Sequence, residues 1–318
     1  MSDGATPNGA TPHDAMDVFT IVGGDYASGA AALCNSLRAA RFGGTIHIGV
    51  ADEPGWTLDG SAPVVVHRLR QGDKWIGNYK PALIEEHARG AYLFIDADCI
   101  VTSPELLGTV AAAVAEGPVL CAEGIVPGTD IRRRRWRRAK AESLGAEAGG
   151  GRMSDIYYNS GFLGGDIRRD RRLLEGWRRL IDTALHGSGG LYESRDFPMP
   201  DQDCLNAFLQ DEAAPMSCIS PPDVWYAAAP PSPFLPVGRH ETALLHCTGP
   251  AKPWRLTSVP ARAPNPYERA WHHFLYEDAA WVRCPLALKR SVRSWLGDGV
   301  WGRRISQAKS LGRRLGAR

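Results

Sequence analysis

Two carboxylates separated by one residue, Asp96 and Asp98, close the apolar run Ala91–Ile95. Short acidic side chains at that spacing can converge on one hard cation, which also accepts diphosphate oxygens. Carboxylates leaving so apolar a segment need a cation or base, because a lone buried charge is costly. By itself such a triplet also suits an ordinary turn. A second constellation lies far downstream, His246–Cys247–Thr248–Gly249–Pro250–Ala251–Lys252–Pro253–Trp254. It joins a metal-capable imidazole, a glycine permitting close backbone approach, a lysine point charge for phosphate and an indole. A lone histidine after an apolar run reads as a core residue; set beside Gly249, Lys252 and the distant acid pair, it reads as a ligand. Two carboxylates, one imidazole and phosphate oxygens suit Mn2+ or, less well, Mg2+.

Between them stand Asn159–Ser160–Gly161 and Asp201–Gln202–Asp203–Cys204–Leu205–Asn206. Taken in order, these four motifs resemble glycosyltransferase family 8, which includes glycogenin-like enzymes and bacterial lipopolysaccharide galactosyl- and glucosyltransferases. The similarity spans about residues 18 to 256. H-x-x-G-x-x-K-P-W is its most specific part; the D-x-D is shared by many A-type glycosyltransferases. The resemblance implies transfer of a hexose from a UDP-sugar to an acceptor hydroxyl, with Mn2+ and retention of configuration. The acceptor would be a glycan, a glycolipid or a small molecule.

The same resemblance implies roles for particular residues. Asp96, Asp98 and His246 are expected to hold the metal, with Asp96, Gly249 and Lys252 at the diphosphate. Asp25 and Tyr26 fall where the family binds the uracil end. Asp52 and Lys80 are further candidate donor contacts. Asn159, Ser160, Asp201 and Gln202 would surround the transferred sugar, with Gln202 near the anomeric carbon. Asp201 and Asp203 also suit the acidic start of a helix. The chain departs from the family in two places: "GGDYAS" lacks a second Asp or Asn before Tyr26, and "NYKP" replaces an arginine-bearing helix start.

The elements that must position these groups read as α/β. Continuous apolar strands are expected at Val18–Val22, Thr45–Val50, 63–69, 91–101, Gly117–Ala122 and 156–167. Helical segments lie between them, the pattern of a sheet covered on both faces. The pattern gives the class as α/β; the family resemblance implies an A-type glycosyltransferase (nucleotide-diphospho-sugar transferase) fold with a Rossmann-like mixed central sheet, to which the chain adds a basic helical C-terminal extension. Ligands of such sheets bind beyond the carboxyl ends of the strands, where Asp96 and Asp98 emerge. The expected organisation is a disordered leader (1–17), a catalytic domain (18–256) and a basic helical extension (257–318). An insertion at 126–156 reads as a long loop, or as a helix with a mobile exit.

Composition excludes other classes. With 44% hydrophobic and 23% charged residues the chain is neither disordered nor fibrous. Seven cysteines without a CxxC pair read as buried hydrophobes. A start without a basic n-region or apolar h-region, and no membrane-length apolar run, predict a cytoplasmic protein. The net charge of +2 hides a division. Residues 283–318 hold ten Lys or Arg against one acid, Asp298, a net +9; the first 282 carry 27 against 34, a net −7. Trp281, Leu288, Val292, Trp295, Trp301, Ile305 and Leu311 form an apolar stripe among those cations. The tail therefore reads either as an interfacial helix on an anionic membrane, peripheral at its inner face, or as a terminal helix packed on the domain. No nucleic-acid motif accompanies the charge. Two other readings rank lower. A sugar-phosphate nucleotidyltransferase would want a cation in "GGDYASGAAAL", which has none. A non-catalytic nucleotide-sugar-binding or membrane-associated protein would have little use for Asp96, Asp98, His246 and Lys252 together.

Overall fold

The computed structural model describes residues 16–70, 74–145, 155–186, 195–210, 217–219 and 243–297. Its centre is a seven-stranded sheet. Val64–Arg68 (β4) forms one edge, followed by Ile46–Val50 (β2), Asp17–Val22 (β1), Ala91–Ile95 (β5), Ile156–Asp166 (β8), Val119–Ile125 (β7) and Ser217–Ile219 (β9). All run parallel except β8, which is antiparallel to both β5 and β7.

Alternation along β1 builds a core on each face. Val18 and Val22 enter one apolar cluster, Phe19 and Ile21 the other. The first face is covered by Ala27–Ala39 (α1) and Pro104–Glu116 (α3). The second is covered by Lys80–His87 (α2), Ile131–Leu144 (α4), Ile167–Ala184 (α5) and Pro200–Leu209 (α6). Helix–sheet–helix layering of a mostly parallel sheet is the expected α/β architecture.

Two small ladders complete the strands among the described residues. Cys99–Val101 (β6) pairs antiparallel with Leu244–His246 (β10), and Thr57–Leu58 (β3) with Val282–Arg283 (β11). Met16 is already fully buried, so order begins before the expected Val18. The 126–156 segment contains α4 rather than a loop throughout, with Asp130 capping it by accepting from Arg132 N (2.8 Å). Its expected exit at 146–154 lies outside the described residues.

The largest difference concerns the C-terminal part. Pro266–His272 (α7) and Arg290–Leu296 (α8) are not an appendage: Tyr267, Trp271, Leu275, Val282, Val292, Trp295 and Leu296 are buried in the first core. The apolar stripe up to Leu296 is therefore satisfied by the domain and is not free to enter a membrane. Trp301, Ile305 and Leu311 lie outside the described residues. Of the cysteines whose burial is described, all are buried but Cys284, which is half-buried. No helix among the described residues is long and apolar enough to cross a membrane.

Candidate functional site

The motifs meet beyond the ends of β1 and β5 and at an irregular stretch inside β8. β5 stops at Ile95, and a turn closed by Cys99 N donating to Asp96 O (2.9 Å) leads into β6. The β6–β10 register then sets His246 opposite Cys99, one residue from Asp98. His246 Nε2 lies 3.2 Å from Asp98 Oδ1, and Lys252 Nζ lies 2.5 Å from Asp98 Oδ2. Cys247 N donates to Asp98 O (2.9 Å), which locks the two loops together. Gly249 sits at φ +80°, a left-handed conformation that only glycine adopts freely, and it returns the chain toward Lys252.

Asp96 turns the other way. Its carboxylate pairs with Lys80 Nζ (2.8 Å), which also reaches Asp201 Oδ2 (2.7 Å) and Ser160 Oγ (3.2 Å). Lys80 is buried at the start of α2. The two acids of the triplet are thus divided between two ammonium groups. Burial alone would raise Asp98, but His246 and Lys252 overcome it and hold the carboxyl well below its usual range. Asp96 goes the other way: burial, reinforced by Asp98 and Asp201, outweighs Lys80 and raises it.

A register break supplies the opposite wall. Leu120 pairs with Leu163 but Cys121 pairs with Asn159, so β8 bulges through Ser160–Gly161–Phe162. Bulges of this kind re-aim side chains beside sites. Asp96 N donates to Gly161 O (2.8 Å), and a β-carbon on Gly161 would lie 2.3 Å from Asp96 Oδ2. Across the bulge, α6 begins at Pro200 and presents Asp201 and Gln202. Ser160 Oγ donates to Asp201 Oδ2 (2.7 Å) and Ser160 N to Gln202 Oε1 (3.1 Å). Gln202 Nε2 and Asn159 Nδ2 both donate to Glu123 Oε2, at 2.7 and 3.0 Å. Asp203 points away. It accepts from Tyr157 OH and from Met199 N, both at 2.7 Å, and burial pushes its carboxyl up to about 6.

At the third side, a short turn after β1 carries Asp25 and Tyr26. Arg255 grips Asp25 through Nε (2.5 Å) and Nη2 (2.9 Å), which holds that carboxyl low. Tyr26 lies edge-on to Trp254 at 5.4 Å, with Lys252 Nζ 5.4 Å from its ring centroid.

Most of these groups, though not Asp203 or Trp254, line one cleft of about 630 Å³, a volume suited to a small-molecule ligand. Asp25, Tyr26 and Lys80 are brought together there with Asp96, Asp98 and His246. So are Asn159, Asp201 and Gln202, and Gly249 and Lys252. Asp52 is not among its lining residues; it is exposed on the loop after β2. Sequence reasoning missed Glu123, Arg255 and Trp75. Glu123 carried a readable signal, an acid at the end of an apolar strand as in the D-x-D, and Arg255 directly follows the K-P-W triplet. Trp75 carried none.

The donor set fits a divalent cation. Ligand atoms of Asp98, Cys99 and His246 all lie within 4.8 Å of one another. Burial pushes the Cys99 thiol well above its ordinary range, so it stays a neutral, weak ligand. That leaves carboxylate and imidazole, with Asp96 the next carboxylate. The Lys80 and Lys252 ammonium groups stand on these carboxylates as a cation would.

The fold is that of the A-type glycosyltransferases. No protein-family profile matches the sequence, and no curated protein matches it. Among solved structures, the glycosyltransferase GlyE of Streptococcus pneumoniae TIGR4 matches with a TM-score of 0.51 at 16% identity, over 83% of this chain and 61% of that one. This chain therefore spans less than two thirds of GlyE. The galactosyltransferase LgtC, solved with donor and acceptor sugar analogues, matches at 0.45 and 16% identity, over 83% of this chain and 95% of that one. The bifunctional glycosyltransferase WbbM matches at 0.49 and 14%, over 83% and 49%. Identities this low speak for the fold alone, and of these three likenesses only that to GlyE is close enough to carry weight.

Proposed function

We propose that the chain is a metal-dependent glycosyltransferase that moves a hexose from a UDP-sugar to an acceptor hydroxyl with retention of configuration. One observation supports this above the others: a single cleft holds a cation-binding wall, Asp98–His246–Lys252, facing a carboxamide–carboxylate wall, Gln202–Asp201–Glu123. Glycosyl transfer passes through an oxocarbenium-like state while the leaving diphosphate gains negative charge. A divalent ion held by Asp96, Asp98 and His246 would supply positive charge to that diphosphate.

The chain's own residues do the remaining work. Lys252, held by Asp98 and by the Cys247 carbonyl, keeps its ammonium in the cleft within reach of the phosphates. Gln202 is clamped from both ends of its amide, by Ser160 N and by Glu123, so its orientation is set before substrate arrives. A neutral amide is a poor nucleophile. Its fixed oxygen is instead suited to stabilise the developing positive charge while the acceptor attacks on the face the diphosphate leaves. Lys80, between Asp96 and Asp201, pairs with both carboxylates and fixes their positions beside the sugar. Tyr26 and the Arg255–Asp25 pair close the side assigned to the nucleoside.

The test is a panel of UDP-, GDP- and dTDP-sugars, with and without Mn2+, read by thermal shift and by donor turnover. Stabilisation by a UDP-sugar that requires Mn2+ is the expected result. If no nucleotide sugar stabilises or is consumed, the reading fails.

A further inference from the structure

Of the two readings of the C-terminal stripe, membrane contact is not available to the residues buried in the core, yet a different corner of the molecule has the required chemistry. We propose that the corner between β7 and α4 docks the mouth of the cleft on an anionic lipid bilayer.

Ile125, the last residue of β7, is 76% exposed, and Ile131, the first of α4, is 57% exposed. Two isoleucines this open at one corner are unusual unless something covers them. Poor folding does not explain them, because the corner is built to hold its shape. Val126 N donates to Asp155 O (2.9 Å), Gly128 N to Asp155 Oδ1 (2.7 Å) and Asp130 N to Pro127 O (2.8 Å). Arg133 is buried beneath it, donating to Val126 O and Ile156 O, both at 3.1 Å.

The adjoining helix supplies the charge. α4 carries seven basic residues against one acid, Glu142. Arg133 and Lys140 are buried, while Arg132 and Arg135 are paired with Asp130 and Asp196. Arg134 and Arg138 face solvent: Arg134 has no ion pair among the described residues, and Arg138 reaches Glu142 only at 3.8 Å. Arg179 of α5 touches Ser143 O (3.5 Å) and extends the cationic face. An apolar tip beside outward arginines matches an anionic interface, where the isoleucines enter the acyl boundary and the guanidinium groups meet headgroups. A soluble polyanion would satisfy the arginines and leave the isoleucines in water, so the bilayer is the better complement. Glu123, two residues before Ile125 on the same strand, lines the cleft, so docking here turns the cleft mouth toward the membrane. A lipid-borne acceptor follows only if the transferase reading holds; docking itself does not depend on it.

The test is co-sedimentation of the full chain with phosphatidylcholine vesicles, with and without phosphatidylglycerol. Binding to the anionic vesicles is expected, with a partition coefficient about tenfold lower for Ile125→Asp/Ile131→Asp and about tenfold lower for Arg134→Glu/Arg138→Glu. Both variants should keep the wild-type thermal transition. Three results would overturn the proposal. One is no vesicle binding by the wild type. Another is isoleucine variants, Ile→Ser included, that bind as the wild type does. The third is binding lost when the chain ends at residue 297 but untouched by the corner substitutions. Insensitivity to the isoleucines together with displacement by heparin would assign the corner to a soluble polyanion. Vesicle binding is read without catalysis, so failure of the transferase reading would show separately, as absent donor turnover.

Discussion

Lys252 Nζ lies 2.5 Å from Asp98 Oδ2, and both side chains are buried. A residue near the end of the domain thus neutralises the second acid of a triplet on β5's exit, and removing either partner strands a charge.

The pair should therefore behave as a unit. Asp98→Ala leaves Lys252 buried without its carboxylate, and breaking such pairs costs about 3–5 kcal/mol. Urea denaturation should show the double variant Asp98→Ala/Lys252→Met losing clearly less than the sum of the single losses. Strict additivity would mean the two side chains do not interact in solution.

Gly161 is required by contact and not by backbone angle. Its missing β-carbon would sit 2.3 Å from Asp96 Oδ2 and 2.8 Å from Asn159 Oδ1. Gly161→Ala must displace the carboxylate, so Mn2+ affinity should fall about tenfold, or ~1.4 kcal/mol. Overpacking should cost about 1–3 kcal/mol of stability as well. Calorimetric titration with Mn2+ checks the first effect; an unchanged affinity would remove Asp96 from the cation site.

Asp203 gives a pH signature. Its folded carboxyl is pushed up to about 6 by burial, while the unfolded chain has the ordinary value of 3.8. Between those two values the folded state holds a proton that the unfolded state has released, so this group's contribution to stability falls as pH rises from about 4 to 6. The full loss is roughly 2–3 kcal/mol and is complete above the folded value. Asp203→Asn should remove that component. The difference in stability between variant and wild type should therefore grow in the variant's favour from pH 4 to pH 7. A difference independent of pH would refute the assignment.

Trp295 decides the status of the C-terminal part. It is 3% exposed, donates from Nε1 to Arg262 O (2.6 Å) and packs within the first core. Trp295→Ala should destabilise by about 3–5 kcal/mol, as loss of a buried indole does. A chain ending at residue 282 should lose cooperative unfolding, whereas one ending at 297 should keep it. Thermal denaturation of the two truncations separates these outcomes, and a stable 1–282 chain would contradict the packing.

How much could be read beforehand follows the range of the interactions. β1, β2, β4 and β5 were legible because each is a continuous apolar run, and the start of α6 because Pro200 and two acids announce it. Asp96 and Asp98 were legible as an acid pair at a strand's end. Their division between Lys80 and Lys252 was not, since it depends on which cations the fold brings to each side. Glu123 was missed because its role is to hold Gln202, a residue far along the chain that α6 carries back to β7. The tail stayed ambiguous because an apolar stripe among arginines has the same pattern whether the stripe meets lipid or Trp271.

The sequence by itself determined the α/β order of elements, the chemistry of the cleft and the candidate cation ligands, because local periodicity and side-chain type are properties of neighbours along the chain. The tertiary structure alone decided the reversal of β8, the bulge that puts Gly161 against Asp96, and the burial of α8 in the core. Those are set by strand register and by packing between segments far apart along the chain, from tens of residues for β8 and its partners to well over a hundred for α8 and α1 or for the pairing of His246 with Cys99.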